Sequence, residues 1–125
     1  MKCLVVDDSA TMRRIVVNAL KSIGYDNVVE AADGSDALQK SDSTIELVIT
    51  DWNMPVMGGL EFVKSLRANP QHGRTPILMV TTRSVKDDIL QAVEAGVSGY
   101  ILKPFTPQVL KEKIDEILSL ASGSN

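Results

Sequence analysis

The sequence predicts an α/β protein in which five strands alternate with five helices around a parallel sheet. Short apolar runs without polar alternation recur along the chain, and stretches with helical spacing separate them. Continuous apolar runs are typical of strands that helices cover on both faces, and alternating βα units build such sheets through right-handed crossovers. The 125 residues suffice for one ordinary domain. We expect a doubly wound (βα)5 domain over residues 1–121 and a flexible tail over residues 122–125.

Five segments are predicted as strands. Three of them, residues 3–6, 47–49 and 77–80, are wholly apolar and are expected in the middle of the sheet. The segments 27–31 and 99–102 have more polar flanks and are expected at its edges.

The helices follow from apolar side chains that repeat with a period near 3.6 residues. The first stripe consists of Met12, Ile15, Val16, Ala19, Leu20 and Ile23. Asp8 or Ser9 can cap its start, and Gly24 can end it. A similar stripe follows Pro107, which suits a first helical turn. The three middle helices are predicted at residues 35–41, 59–68 and 86–95.

Composition excludes several functional classes. Thirteen Lys and Arg against sixteen Asp and Glu give a net charge of −3 without a basic run, so we expect neither nucleic acid nor a membrane surface as partner. The single cysteine, Cys3, excludes an internal disulfide and is expected to be an inert core residue of a cytoplasmic protein. The single histidine, His72, excludes a multi-histidine metal site and is expected at the surface of a polar loop.

Polar side chains follow four of the predicted strands. Asp7 and Asp8 come after the first strand, Asp51 after the third, Thr81 after the fourth and Lys103 after the fifth. Ligands of open α/β sheets bind at the carboxyl ends of the strands, so these side chains are expected to converge. Alone, Asp7 and Asp8 would be interpreted as helix caps, and Asp51 equally well as a turn residue.

Three neighbouring carboxylates repel one another and need a compensating cation. Oxygen ligands without Cys or His favour a hard ion, Mg²⁺ or alternatively Mn²⁺. Because Mg²⁺ commonly binds phosphate oxygens as well, the site is predicted to receive a phosphoryl group. Lys103 and Thr81 would then stabilise its oxygens.

Four segments, residues 5–9, 50–55, 79–81 and 95–105, occur in the order and composition of a known family. The chain resembles the receiver domains of bacterial two-component response regulators, and among them the stand-alone chemotaxis regulators. The resemblance covers essentially the whole chain and implies a flavodoxin-like sheet with strand order 2-1-3-4-5. It also implies a cis Lys103–Pro104 peptide.

The resemblance implies a role for each site residue. Asp51 would accept a phosphoryl group from a histidine kinase of the CheA type, and Thr81 and Lys103 would bind phosphoryl oxygens. The implied Mg²⁺ ligands are Asp8, Asp51, the backbone carbonyl of Asn53 and, through water, Asp7. The domain would be a monomeric signalling switch that catalyses only its own phosphorylation and dephosphorylation.

The resemblance also implies an output. Thr81 would move toward the phosphoryl group and the Tyr100 ring would turn inward, which changes the surface formed by the fourth helix, fifth strand and fifth helix. The residues expected to contact a flagellar motor switch protein of the FliM type are Lys86, Ile89, Tyr100, Leu102 and Lys113. The alternative for Tyr100 is a half-buried aromatic with its hydroxyl in water. The alternative for Ile89 and Leu102 is that they pack in the ordinary way within the fold. The alternative for Lys86 and Lys113 is that they are merely solvated.

Other functions remain open on sequence alone. The same receiver chemistry could serve as a phosphorelay intermediate or a phosphate sink, or within a longer DNA-binding regulator. A haloacid dehalogenase-type phosphatase is disfavoured, because it needs a carboxylate where Asn53 stands and a cap domain. Thr82 and Arg83 depart from the receiver pattern beside the site, so we expect them to affect the phosphoryl lifetime and the fit of any phosphatase. Trp52 is expected to be partly exposed and without a catalytic role.

Overall fold

The computed structural model describes residues 1–121, so the tail predicted for residues 122–125 lies outside the described part. The strands are β1 (Lys2–Val6), β2 (Asn27–Ala31), β3 (Leu47–Thr50), β4 (Ile77–Thr81) and β5 (Gly99–Leu102). The helices are α1 (Ala10–Ser22), α2 (Gly34–Lys40), α3 (Gly59–Ala68), α4 (Lys86–Ala95) and α5 (Pro107–Ala121), with a 3-10 turn at Pro70–His72.

All pairings in the sheet are parallel, and the strand order is β2-β1-β3-β4-β5. The predicted fold class and strand order are therefore confirmed, and β2 and β5 are the edge strands. β1, β3 and β4 are buried almost throughout, as their uninterrupted apolar sequences predict.

Alternating side chains of each strand serve two separate cores, because successive residues of a strand point to opposite faces. Leu4 and Val6 of β1 face the core that α2, α3 and α4 cover, where Phe62 is fully buried. Cys3 and Val5 face the core beneath α1 and α5. Burial raises the pKa of the Cys3 thiol to about 11, so this cysteine stays an unreactive thiol at neutral pH.

Helix ends are fixed by side-chain caps and glycines. The Ser9 hydroxyl accepts a hydrogen bond from the Met12 amide at 3.2 Å, so Ser9, not Asp8, caps α1. The Asp33 carboxylate accepts from the Asp36 amide at 2.8 Å, which starts α2 one residue earlier than predicted. Gly96, with φ of 116°, ends α4 in the left-handed conformation that glycine adopts without strain.

The prediction that His72 lies at the surface is wrong. Its side chain is buried, with Nδ1 2.8 Å from the Thr75 hydroxyl. Nε2 lies 3.1 Å from the Ser41 carbonyl and donates to it, since a carbonyl can only accept. The Arg67 guanidinium donates to the His72 carbonyl. These contacts satisfy the polar atoms of His72 internally, so it ties the end of α2 to the loop before β4.

Trp52 is also more buried than predicted, with 8% of its surface exposed. The Arg83 guanidinium lies 4.5 Å from the centre of the indole ring and covers it. Within residues 1–121, no helix is long and apolar enough to cross a membrane.

Candidate phosphorylation site

The sheet itself positions the site residues. The backbone amide of Asp51 donates to the Val6 carbonyl at 2.9 Å, and that of Lys103 donates to the Thr81 carbonyl at 2.9 Å. The Asp7 amide donates to the Ala31 carbonyl at 3.1 Å. Each residue thus extends the strand ladder by one step beyond the end of its strand. Because the strands are parallel, all these steps lie at the same edge.

The three aspartates form one acidic cluster. Carboxylate oxygens of Asp7, Asp8 and Asp51 all lie within 4.8 Å of one another. Asp7 is buried, Asp51 is half-buried and Asp8 is exposed, so the cluster is open to solvent on one side. Hard divalent cations prefer an oxygen-only donor set of this kind, and the cluster fits Mg²⁺.

Lys103 supplies the positive charge of the site. Its Nζ lies 3.2 Å from Oδ2 of Asp7 and 3.4 Å from Oδ2 of Asp51. Only 13% of the Lys103 side chain is exposed, so solvent screens these ion pairs less than surface pairs. The peptide that joins Lys103 to Pro104 is cis, as predicted.

Asp51 experiences opposing influences on its protonation. Burial raises the pKa of its carboxyl group, and the charge of Asp7 acts in the same direction. The Trp52 amide, which donates to Oδ1 at 2.7 Å, and the Lys103 ammonium act in the opposite direction. The net result is a raised pKa, because the desolvation cost outweighs the two favourable contacts.

Thr81 and Tyr100 both contact the segment that follows β4. The Thr81 hydroxyl accepts from the Arg83 amide at 3.2 Å. The Tyr100 hydroxyl donates to the Arg83 carbonyl at 2.6 Å, and its ring packs against the core under α3 and α4. The ring is half-buried, as the alternative for Tyr100 expects, and the hydroxyl bonds to the backbone of Arg83. Burial raises the pKa of Tyr100, and the nearby Asp88 charge adds to the effect.

The five residues predicted to contact a partner lie on α4, β5 and α5. Lys86 is exposed, and Leu102 exposes 44% of its surface. Ile89, Tyr100 and Lys113 are half-buried, and the Lys113 ammonium pairs with Glu116 at 2.8 Å. The structure thus offers both apolar and cationic groups here, outside the acidic cluster.

Two arginines near the site were not given structural roles by the sequence. Arg13 donates from Nη1 to the Asp7 carbonyl at 2.7 Å and from Nε to Glu30 at 2.9 Å, which fixes the loop after β1. Arg83 donates from Nη2 to the Asn53 side-chain oxygen at 2.8 Å. Arg83 differs from the receiver pattern, and this difference was the only sequence signal for its contacts. The sequence offered no signal for the contacts of Arg13, since its position on α1 is typical of a solvated arginine.

Comparison with known proteins identifies the family. The profile of the response regulator receiver domain matches residues 3–115. The chain belongs to this family. It is a CheY-like receiver domain, and the prediction of that family is confirmed.

Several curated relatives of this receiver domain are chemotaxis proteins. A CheY homolog of Campylobacter jejuni is 52% identical over 125 residues, covering 98% of this chain and 96% of the relative. CheY1 of Helicobacter pylori is 52% identical over 120 residues, covering 94% and 97%. CheY of Pseudomonas aeruginosa is 47% identical, covering 98% of this chain and all of the relative.

Solved receiver structures share the fold. CheY4 of Vibrio cholerae superposes with a TM-score of 0.85 at 40% identity, covering 93% of this chain and 97% of that one. A CheY-like receiver domain of Methanospirillum hungatei gives a TM-score of 0.87 at 27% identity, covering 99% and 98%.

Proposed function

We propose that this chain is a phosphorylation-activated response regulator of chemotaxis, in which Asp51 accepts a phosphoryl group from the phosphohistidine of a CheA-type kinase. The observation that carries the proposal is the meeting of Asp51, Lys103 and the acidic cluster at one sheet edge of a receiver domain. We also propose that it acts as a monomer in the cytoplasm, as expected from its sequence.

The acidic cluster is proposed to hold Mg²⁺. Its ligands would be Asp8, Asp51, the backbone carbonyl of Asn53 and, through water, Asp7. When bound, Mg²⁺ would neutralise the clustered carboxylates and the charge of the incoming phosphoryl group.

In the proposed reaction, a carboxylate oxygen of Asp51 forms a bond to phosphorus as the bond from phosphorus to the imidazole nitrogen breaks. The electron pair of that bond stays on the imidazole. Lys103, already within 3.4 Å of Asp51, is placed to bind one phosphoryl oxygen, and Thr81 can donate its hydroxyl to another. Phosphoryl transfer depends mostly on such alignment and charge stabilisation. The domain itself therefore promotes the reaction, and hydrolysis by water later restores the carboxylate.

The output is proposed to be binding through α4, β5 and α5. Phosphorylation replaces the single negative charge of the Asp51 carboxylate with the about −1.5 to −2 charges of a phosphoryl group, which lie next to Lys103 and Thr81. A shift of Thr81 toward these charges would disturb its bond to the Arg83 amide, and the Tyr100 hydroxyl bonds to the carbonyl of the same residue. Tyr100 thereby connects the site to the surface with Lys86, Ile89, Leu102 and Lys113. Because the curated relatives are named chemotaxis proteins, we propose a FliM-type motor switch protein as the partner.

Phosphorylation is tested by incubating the chain with acetyl phosphate and Mg²⁺ and measuring its intact mass. We expect one added phosphoryl group that is stable in acid and labile in base, absent in Asp51→Asn and present in the control Asp87→Asn, which changes an exposed aspartate. Wild-type protein without a mass increase would contradict the proposal.

The output is tested with the amino-terminal peptide of the motor switch protein, with and without beryllofluoride. We expect tighter binding with beryllofluoride, and a loss of that difference in Asp51→Asn. Equal binding in both states would contradict a gated motor output and favour a relay or a phosphate sink. Membership of the receiver family, together with Asn53, weighs against the haloacid dehalogenase alternative.

A further inference from the structure

The side chain of Arg83 joins two segments that are distant in sequence. Its guanidinium lies over the Trp52 ring at 4.5 Å and donates from Nη2 to the Asn53 side chain at 2.8 Å. From Nη1 it reaches Asp88, in the first turn of α4, at 3.4 Å. We call these contacts, among Trp52, Asn53, Arg83 and Asp88, the Arg83 bridge.

The bridge depends on the shape of the guanidinium as well as on its charge. One planar group lies over the Trp52 ring while its two terminal nitrogens reach two different side chains, an arrangement that a lysine ammonium cannot reproduce. Nε is buried and has no hydrogen-bond partner among the described residues. The desolvation of this nitrogen is a cost, which the stacking and the two polar contacts must offset.

The backbone of Arg83 connects to the opposite side of the site. Its amide donates to Thr81 and its carbonyl accepts from Tyr100. A single residue therefore contacts the segment after the phosphoacceptor, the end of β4, the edge strand β5 and the start of α4.

We propose that Arg83 is a positioning residue that makes the order of the Trp52–Asn53 segment and the order of the first turn of α4 depend on each other. The inference rests on the proposed function, in which the Asn53 carbonyl is a ligand of Mg²⁺. Metal binding that fixes Asn53 would then stabilise α4 through the bridge. By thermodynamic reciprocity, a well-ordered α4 would strengthen metal binding by the same factor.

Charge alone predicts a different result. A guanidinium near the acidic cluster repels a divalent cation, so removing its charge would strengthen Mg²⁺ binding. Arg83→Lys keeps the charge and removes the planar contacts. A purely electrostatic role predicts wild-type affinity in this variant, whereas the bridge predicts weaker binding.

The experiment combines calorimetric titration with MgCl₂ and amide hydrogen exchange with and without the metal. The Asp88 and Ile89 amides are suitable reporters, because they donate to the Val85 carbonyl at 3.0 and 3.1 Å in the first turn of α4. Asp88→Ala removes the far end of the bridge without changing the acceptor segment. Arg74→Lys is the matched control, since Arg74 is exposed in the loop before β4.

In wild type and Arg74→Lys, we expect Mg²⁺ to slow exchange at the Ile89 amide about fivefold or more. In Arg83→Lys this slowing is lost and the dissociation constant of Mg²⁺ rises by a similar factor. Asp88→Ala loses the slowing as well. Wild-type affinity together with wild-type slowing in Arg83→Lys would overturn the proposal.

Failure of the proposed function has a different signature. It would show as wild-type protein that neither releases nor absorbs heat with Mg²⁺ and gains no phosphoryl group. In that case, amide hydrogen exchange measured without metal tests whether the Arg83 bridge orders α4. Faster exchange at Asp88 and Ile89 in Arg83→Lys than in Arg74→Lys supports it, and equal rates overturn it.

Discussion

The carboxylate of Asp51 is destabilised in the folded protein before any ligand binds. It is half-buried beside Asp7, and burial raises its pKa in spite of the Trp52 amide and the Lys103 ammonium. When the pKa of a group is higher in the folded state than in the unfolded state, its contribution to folding stability is complete at pH values below the unfolded pKa. That contribution to stability is lost as the pH rises through the folded pKa. Ionisation of Asp51 therefore opposes folding.

We expect Asp51→Asn to increase the free energy of unfolding at pH 7 by about 1 kcal/mol in metal-free buffer, because the amide carries no charge. The gain should shrink as the pH falls toward 3.8, the ordinary value for Asp, where the wild-type carboxyl also becomes neutral. Urea unfolding at several pH values measures the difference.

The control for this prediction is Asp42→Asn, which has the opposite sign. Asp42 is exposed, and hydrogen bonds from Thr44 lower its pKa. Its contribution to stability is present at neutral pH and lost as the pH falls, so its removal destabilises at pH 7. Equal changes in the free energy of unfolding for the two variants would contradict the inference that the Asp51 carboxylate destabilises the folded state.

Single side chains also mark the limit of prediction from sequence. The polar composition around His72 predicts a connection between α3 and β4, which the structure forms with a 3-10 turn, but His72 is buried by contacts that include Arg67 and the Ser41 carbonyl after α2. Arg83 covers Trp52 in the same way. Both contacts join segments far apart in the chain, and neither apolar periodicity nor local spacing contains that information.

Helix α3 begins against the backbone of Asp51, the proposed phosphoacceptor, and Trp52. The Gly59 amide donates to the Trp52 carbonyl at 2.7 Å. A Cβ atom at Gly59 would lie 2.9 Å from the Trp52 Cα and still closer to the Asp51 carbonyl. The absence of a side chain at this position therefore lets the helix approach the loop that carries Asp51.

Gly59→Ala is expected to lower the free energy of unfolding by about 1–3 kcal/mol, because the new methyl group displaces backbone and not a flexible side chain. It should also weaken Mg²⁺ binding by moving Asp51. Gly73→Ala is the matched control, since its Cβ would meet only the Pro70 carbonyl at 4.0 Å. Chemical denaturation and calorimetry measure both effects, and similar losses in the two variants would refute this role of Gly59.

Local sequence signals predicted the elements well for identifiable reasons. The buried strands are continuous apolar runs, and the bounds of α3 and α4 follow from apolar spacing and from Gly96. The start of α2 was displaced by one residue, because its cap is the Asp33 side chain. A cap of this kind depends on one hydrogen bond that spacing does not show.

Across the fold, convergence of the site was predictable because it follows from topology. Parallel strands bring residues 7, 51, 81 and 103 to one edge whatever their exact contacts. The net charge of −3 is therefore unevenly distributed, with three carboxylates concentrated at that edge. Binding a cation there should stabilise the entire domain, since the cluster is assembled only when the sheet is folded.

We expect Mg²⁺ at about 100 times its dissociation constant to add about 2.7 kcal/mol to the free energy of unfolding. Asp8→Asn should lose most of this gain, whereas Asp87→Asn, an exposed change on α4, should keep it. Thermal or urea unfolding with and without Mg²⁺ measures the effect. A gain of the same size in all three proteins would indicate nonspecific salt stabilisation.

The strand order has a consequence for how the molecule fluctuates. β3, which ends one residue before the proposed phosphoacceptor Asp51, has two strands on each side, whereas β5, which carries Tyr100, has a neighbour on one side only. Local opening costs least free energy at the periphery of a sheet and most at its centre. The carboxylate proposed to react, that of Asp51, thus follows the central strand, where opening costs most, and the Tyr100 side chain lies on an edge strand, where opening costs less. If the proposed function holds, thermal motion can rearrange the surface around Tyr100 many times while the Asp51 site stays assembled.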